Sequence, residues 1–138
     1  MKKVLMVLFA ALTSISLFGQ SSGKFAYMAD THIAEGSSSI ADLEACIKDI
    51  NSNPEIQFSI LAGDITEFGS DKEIKLAKSI IDKLEKPYYI LAGNHDSKWS
   101  ESGCNTFEKV FGYGHFEFEA FGVKFVGTNS GPNMRMAP

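Results

Sequence analysis

Two apolar runs in the sequence end in the same four residues, Ile-Leu-Ala-Gly, at 60–63 and at 90–93. The first run is followed at once by Asp64, and the second by the tripeptide Asn-His-Asp. A short apolar run that stops at a glycine is typical of a strand buried on both faces, as in a parallel sheet. The chain therefore places polar, ligand-type side chains directly after two strands of a predicted parallel sheet.

The preceding and intervening sequence supplies a further strand and the helices that connect the strands. Apolar runs predict strands at 24–29, 56–62 and 88–92. Apolar residues at helical spacing predict one helix from Ser39 and another from Ser70. Each serine is followed three residues later by an acid, Asp42 or Glu73, which is a capping-box pattern. Strand–helix–strand units of this length predict a parallel sheet with right-handed crossovers.

The C-terminal part of the sequence predicts a short helix at 105–111 and an antiparallel hairpin. The hairpin strands, HFEFEA and VKFVGT, alternate apolar and polar residues around a Phe-Gly turn at 121–122. The predicted fold class is therefore α/β, with a parallel βαβαβ start followed by an antiparallel hairpin. A length of 138 residues fits one domain.

Three polar clusters follow the three predicted parallel strands: Asp30-Thr31-His32, Gly63-Asp64 and Gly93-Asn94-His95-Asp96. The carboxyl ends of parallel strands lie at one edge of a sheet, so these clusters are expected to converge. Carboxylate, imidazole and amide oxygen are ligands for divalent metals such as Mn, Fe or Zn. Each cluster alone also fits an ordinary turn or loop cap, but their ordered combination favours a metal site.

The three clusters resemble the first three motifs of the calcineurin-like metallophosphoesterases, over about residues 24–130. The resemblance implies a β-sandwich flanked by helices, with a two-metal centre at the strand ends. The βαβαβ start and the hairpin would form one half of that sandwich.

The resemblance also implies a role for each metal-ligating residue. Asp30 and His32 would bind the first metal. Asp64 would bridge both metals, and Asn94 would bind the second. The implied cofactors are two divalent ions, with their identity open among Mn, Fe and Zn.

Two further residues are assigned to catalysis by the same resemblance. His95 would contact the phosphoryl group and protonate the leaving oxygen, and Asp96 would orient His95. The implied activity is hydrolysis of phosphate mono- or diesters by a metal-bridging hydroxide, with a small phosphoester as substrate. The open alternatives are a non-catalytic metal-binding domain and a metal hydrolase that acts on another ester or amide.

The sequence departs from the family pattern in its later motifs. The family has a histidine after a further strand and a Gly-His-x-His segment, and neither follows here. His115 begins an alternating strand, so it is interpreted as a strand residue and not as a ligand. We therefore expect the chain to be the N-terminal part of a longer protein, truncated at its C-terminus.

Residues 1–19 predict a signal peptide, which leaves 20–138 as the phosphoesterase domain. A basic start is followed by an uncharged run from Val4 to Phe18, shorter than the roughly 20 residues that span a bilayer. We expect export to the periplasm or the exterior, without membrane attachment after cleavage. Cleavage removes two lysines and no acid, so the net charge changes from −4 to −6. This acidic balance argues against nucleic-acid binding.

The two cysteines and the single tryptophan lie outside these motifs. Cys46 falls on the apolar stripe of the first predicted helix, so we expect a buried free thiol. A Cys46–Cys104 bridge, which export permits, stays open. Trp99 follows the third strand and either stacks on a flat substrate group or covers apolar surface, and the second role is favoured.

Overall fold

The computed structural model describes residues 22–112 and 114–129. The predicted signal peptide lies outside the described residues. The described elements, in chain order, are β1 (Lys24–Met28), α1 (Ser39–Ser52), β2 (Ile56–Ala62), α2 (Asp71–Ile81), β3 (Tyr88–Leu91), α3 (Asn105–Phe111), β4 (His115–Ala120) and β5 (Val123–Thr128). Each predicted strand and helix is therefore confirmed, with bounds that differ by a residue or so.

The strands form a three-stranded parallel sheet and a separate antiparallel hairpin. In the parallel sheet β2 lies between β1 and β3, with Tyr27 opposite Ile60 and Leu61 opposite Ile90. In the hairpin β4 pairs with β5 around the predicted Phe-Gly turn, where both residues have positive φ. A two-residue turn of this kind matches the right-handed twist of the flanking strands. The predicted fold class is thus confirmed.

One face of the parallel sheet packs against the helices. Side chains alternate along a strand, and those on this face include Ala26, Met28, Leu61 and Ile90. They meet the apolar sides of α1 and α2 in a single core. The fully buried aliphatic members of this core are Ile33, Leu61, Ile65, Ile74, Ala77 and Ile81.

The opposite face of the sheet is aromatic and is covered by the hairpin. Phe58 on β2 lies at the centre, with its ring centroid 5.2 Å from Phe25, 5.1 Å from Phe118 and 5.3 Å from Phe125. Tyr89 on β3 stacks on Phe118 at 3.8 Å. The layers are therefore, in order, the helices, the parallel sheet and the hairpin.

The two predicted helix starts have different outcomes. The capping box at Ser70 and Glu73 is confirmed, because the Ser70 hydroxyl accepts from the Glu73 amide and the Glu73 carboxylate accepts from the Ser70 amide. The capping box predicted at Ser39 is wrong. Ser38 is the N-cap, without a side-chain bond, and the Ser39 hydroxyl donates to the His32 carbonyl at 3.0 Å. The Ser39 hydroxyl, which was expected to cap α1, thus binds the loop that follows β1.

The prediction of a buried thiol at Cys46 is also wrong. Helix α1 buries Leu43, Ile47 and Ile50, and Cys46 lies at the rim of this stripe, exposed. Both cysteines are free, and burial raises the pKa of the Cys104 thiol to about 11. Within residues 22–112 and 114–129, the helices are too short and too polar to cross a membrane.

Candidate metal centre

The loops after β1 and β2 are joined by backbone hydrogen bonds beyond the ends of the strands. The Asp30 amide donates to the Gly63 carbonyl at 3.1 Å, and the His32 amide donates to the Asp64 carbonyl at 3.1 Å. One residue further on, another backbone bond of 2.8 Å continues the pattern. The two loops thus extend the pairing of β1 with β2, which brings the first two polar clusters side by side.

Three of the four predicted metal ligands have a left-handed backbone. The φ angles are 55° at Asp30, 44° at His32 and 48° at Asp64. This conformation costs roughly 1 kcal/mol at a residue with a side chain, so it persists only where surrounding contacts impose it. Here the hydrogen bonds between the loops impose it.

Asp30, His32 and Asp64 converge on one small volume. Each offers one ligand atom, and these atoms all lie within 4.8 Å of one another. His32 Nε2 is 3.9 Å from Asp30 Oδ1. In the described part of the chain neither carboxylate has a lysine or arginine within ion-pair distance. Oxygen and imidazole ligands around uncompensated negative charge fit a divalent cation.

The turn after β3 packs directly on Asp64. The His95 amide donates to Asp64 Oδ1 at 3.1 Å. A Cβ on Gly93 would lie 2.0 Å from Asp64 Oδ1 and 2.2 Å from the Asp64 amide nitrogen. Glycine at this position therefore allows the Asp64 carboxylate to lie between the turns after β2 and β3.

Asn94, the fourth predicted ligand, follows Gly93 at the same edge. Its side chain is exposed and lines a cavity of about 330 Å³ together with Gly63 and Thr128. A second cavity, of about 550 Å³, opens beside Asp30 and His32 toward α1. The predicted ligands are thus at one edge, but the assignment of each to a particular metal stays a prediction.

Asp96 is fully buried and joins the turns after β2 and β3. Its Oδ2 accepts from the Ile65 amide at 3.0 Å and from the Gly93 amide at 2.9 Å. Its Oδ1 accepts from the Thr66 amide at 2.9 Å and from the Thr66 hydroxyl at 2.7 Å. Both oxygens are therefore occupied by groups other than His95. The interpretation that Asp96 orients His95 does not match this geometry.

The His95 ring is held by the loop after β2. Its Nδ1 is hydrogen-bonded to the Glu67 carbonyl oxygen. A carbonyl oxygen only accepts, so Nδ1 is the donor, and Nε2 is the nitrogen left to exchange a proton with a ligand. The Trp99 ring packs on the same imidazole, with 4.6 Å between centroids. Trp99 is 59% exposed, so the favoured role of covering apolar surface is not what the structure shows.

Glu67 is a residue of this site to which the sequence interpretation gave no role. Its Oε2 lies 3.0 Å from His32 Nδ1, and its ligand atom falls within 4.8 Å of those of His32 and His95. The signal was present, because an acid three residues after Asp64 in the same loop is expected to face the same edge. The sequence could not show which neighbour that acid meets.

Comparisons with known proteins agree with this geometry. The family model described as calcineurin-like phosphoesterase matches residues 23–133. "Probable glycerophosphodiester phosphodiesterase GpdQ" of Arcobacter nitrofigilis is 34% identical over 121 residues, which cover 80% of this chain and 40% of that relative. "Uncharacterized protein YvnB" of Bacillus subtilis is 33% identical over 99 residues, 67% of this chain and 8% of that relative.

The chain therefore spans well under two thirds of the length of either relative. The family model, in contrast, covers most of the chain, and its match includes all three polar clusters at the sheet edge. The chain belongs to the calcineurin-like phosphoesterase family.

Proposed function

We propose that the chain carries a metal-dependent phosphoesterase site that uses two divalent ions to hydrolyse a small phosphoester. The observation that carries this proposal is the convergence of the ligand atoms of Asp30, His32 and Asp64 within 4.8 Å of one another. Asp64 lies between the turns after β2 and β3, where its carboxylate would help to hold both ions. Asn94, on the far side of Gly93, would complete the second position.

The chemistry divides between the ions and the side chains. Divalent ions at this edge would supply an activated water at neutral pH and positive charge for the phosphoryl oxygens. His95 would contribute the proton for the leaving oxygen through Nε2, because Nδ1 is engaged by the Glu67 carbonyl. Asp96 would act at a distance, by keeping the turns after β2 and β3 in register.

A phosphodiester is the substrate class that we favour. The relative from Arcobacter nitrofigilis is named a probable glycerophosphodiester phosphodiesterase, and its similarity covers the three polar clusters. Trp99 offers an exposed flat ring beside His95, where the leaving group of an ester would lie. An exported enzyme would fit the predicted signal peptide, and the acidic net charge favours a small ester over nucleic acid as the substrate.

The test is hydrolysis of bis(4-nitrophenyl) phosphate and of 4-nitrophenyl phosphate by the full-length protein with added Mn²⁺. We expect turnover of the diester that EDTA abolishes. Loss of a residue that hydrogen-bonds to a metal ligand typically lowers metal-dependent activity about 10–100-fold. Asp64 is a proposed ligand itself, so we expect Asp64→Asn to lower the activity more than about 100-fold. Asp49→Asn is the matched control, because Asp49 is exposed on α1, away from the site.

Each alternative has its own outcome. Mn²⁺ binding without turnover of either ester would favour the non-catalytic metal-binding domain. Turnover of a carboxylic ester or amide in place of both phosphates would favour a different metal hydrolase. Unchanged turnover in Asp64→Asn would contradict the metal assignment itself.

A further inference from the structure

The two nitrogens of the His32 ring face different carboxylates. Nε2 faces the proposed metal position, 3.9 Å from Asp30 Oδ1. Nδ1, on the other side of the ring, lies 3.0 Å from Glu67 Oε2. The Nδ1 atom is buried, so water does not provide its partner, and the ring N–H is not aligned for a hydrogen bond in this geometry. The Glu67 carboxylate is the acceptor at hand for that nitrogen.

A neutral imidazole binds a metal with one nitrogen only if the other nitrogen carries the proton. The tautomer is therefore set by the partner of the nitrogen that does not bind metal. Metal-ligating histidines commonly donate that N–H to a carboxylate, which also fixes the plane of the ring. His32 fits this arrangement, because Nε2 faces the Asp30 carboxylate and Nδ1 faces the Glu67 carboxylate.

We propose that Glu67 is a positioning residue of the metal centre, whose carboxylate accepts the Nδ1 proton of His32 and so presents Nε2 to the metal. This inference rests on the proposed function, because it takes His32 as a metal ligand. Glu67 Oε2 and His32 Nδ1 are already at hydrogen-bond distance, so the proposal requires a change in the alignment of these two groups and not in their separation.

The same residue acts on the second histidine through a different atom. The backbone carbonyl of Glu67 accepts from His95 Nδ1, which leaves His95 Nε2 for proton exchange. One residue thus sets the tautomer of a metal ligand with its side chain and that of the proposed acid with its backbone. A substitution at Glu67 changes the first contact and retains the second, so His95 is an internal control.

The first experiment needs no variant. Long-range ¹H–¹⁵N correlation spectra of the metal-free chain, with ¹⁵N-labelled histidine, report which ring nitrogen carries the proton. We expect the Nδ1–H tautomer at His32 and at His95. A dominant Nε2–H tautomer at His32 would overturn the proposal, whatever the variants do.

The second experiment measures Mn²⁺ affinity by calorimetry in two variants. Glu67→Leu removes the acceptor, and we expect the dissociation constant to rise about 10- to 100-fold while His95 keeps its tautomer. Glu67→Gln retains an oxygen in the same place and should recover most of the lost affinity. Glu35→Leu is the matched control, because Glu35 pairs with Lys72 at the surface and its loss should leave Mn²⁺ affinity unchanged.

The outcomes distinguish a positioning role of Glu67 from direct metal binding by Glu67. Equal losses in Glu67→Leu and Glu67→Gln would identify Glu67 as a direct metal ligand, since an amide is a poor substitute there, and would overturn the positioning role. Unchanged affinity in Glu67→Leu would overturn it as well. Absence of phosphoesterase turnover, with the tautomer and affinity results as expected, would contradict the proposed function and leave the role of Glu67 intact.

Discussion

The helix-covered face of the sheet buries apolar side chains, whereas its carboxyl edge buries and concentrates carboxylates. On the helix face, Ile74, Ala77 and Ile81 are fully buried among other apolar side chains. At the edge, Asp96 is just as deeply buried, but as a carboxylate that needs four hydrogen bonds. Beside it, Asp64 has a left-handed backbone.

This difference shows which region provides stability and which provides function. The helix face gains free energy by removing apolar surface from water. The edge holds strained residues and several carboxylates without a cationic side chain, at least within the described part of the chain. Such features persist when the surroundings enforce them, and they are typical of sites that bind a ligand of opposite charge.

The largest effect is expected from Asp96→Asn. The Ile65 and Gly93 amides share one carboxylate oxygen, and the Thr66 amide and hydroxyl share the other. The better orientation of an asparagine turns its NH₂ group toward Thr66, because the Thr66 hydroxyl can accept from it, and the Thr66 amide then loses its acceptor. One unsatisfied buried donor costs about 1–3 kcal/mol, and the two amide bonds that remain lose the charge of their acceptor at about 1 kcal/mol each, so we expect the free energy of unfolding to fall by about 4 kcal/mol.

Urea unfolding with and without Mn²⁺ measures this loss. The substitution weakens the hydrogen bonds by which Asp96 joins the turns after β2 and β3. Mn²⁺ should therefore bind the Asp96→Asn variant less tightly and stabilise it less than it stabilises the wild type. A loss below about 1 kcal/mol, the size of an exposed substitution, would mean that Asp96 is not the tie between the turns.

The next largest loss of stability is expected from a substitution in the helix-face core. Ile74 on α2 is fully buried in the helix-face core. Ile74→Ala removes apolar contacts and leaves a cavity, so the free energy of unfolding should fall by about 2–4 kcal/mol. Mn²⁺ affinity, measured by calorimetry well below the unfolding temperature, should be unchanged. A tenfold weaker affinity would show that the edge depends on helix packing, and the two regions would then not be independent.

The elements of the fold were predictable because each has a local signal. Helix α2 has both an apolar stripe and a capping box, and its start at Ser70 is confirmed. The predicted start of α1 was wrong because the Ser39 hydroxyl donates to the His32 carbonyl in the preceding loop, a contact that helix periodicity does not reveal. The burial of Cys46 was predicted wrongly for a related reason. An apolar stripe shows which side of a helix faces the core, but not how far around the helix the packing extends.

The site was predictable in position but not in its inner contacts. The rule that strand ends converge brought Asp30, His32 and Asp64 to one edge, and their ligand atoms do lie together. It could not tell that Asp96 points away from His95 and into the turns. Nor could it tell that Glu67 meets both histidines, because such contacts depend on loop conformation and not on residue spacing.

The smallest loss of stability is expected when an exposed aspartate, Asp82, is replaced by asparagine, as Asp96 is replaced in the first prediction. Asp82 ends α2, and the hydrogen bond from the Lys78 side chain holds the pKa of its carboxyl below the usual range. A lowered folded-state pKa contributes stability above the unfolded pKa of about 3.9, and this contribution is lost as pH falls through the folded-state value. The side chain of Asp82 is 47% exposed, so water screens the pair.

We therefore expect Asp82→Asn to cost no more than about 0.5 kcal/mol at pH 7, and nothing once the pH lies below the folded-state pKa. Urea unfolding of both forms at pH 7 and at acid pH measures this difference. Asp96→Asn makes the identical replacement of carboxylate by amide, yet its expected cost is several times larger. The contrast follows from burial, because water replaces the lost partner of Asp82 and nothing replaces the acceptor of the buried Thr66 amide. Equal losses in the two variants would contradict this account of what separates the edge from the helices.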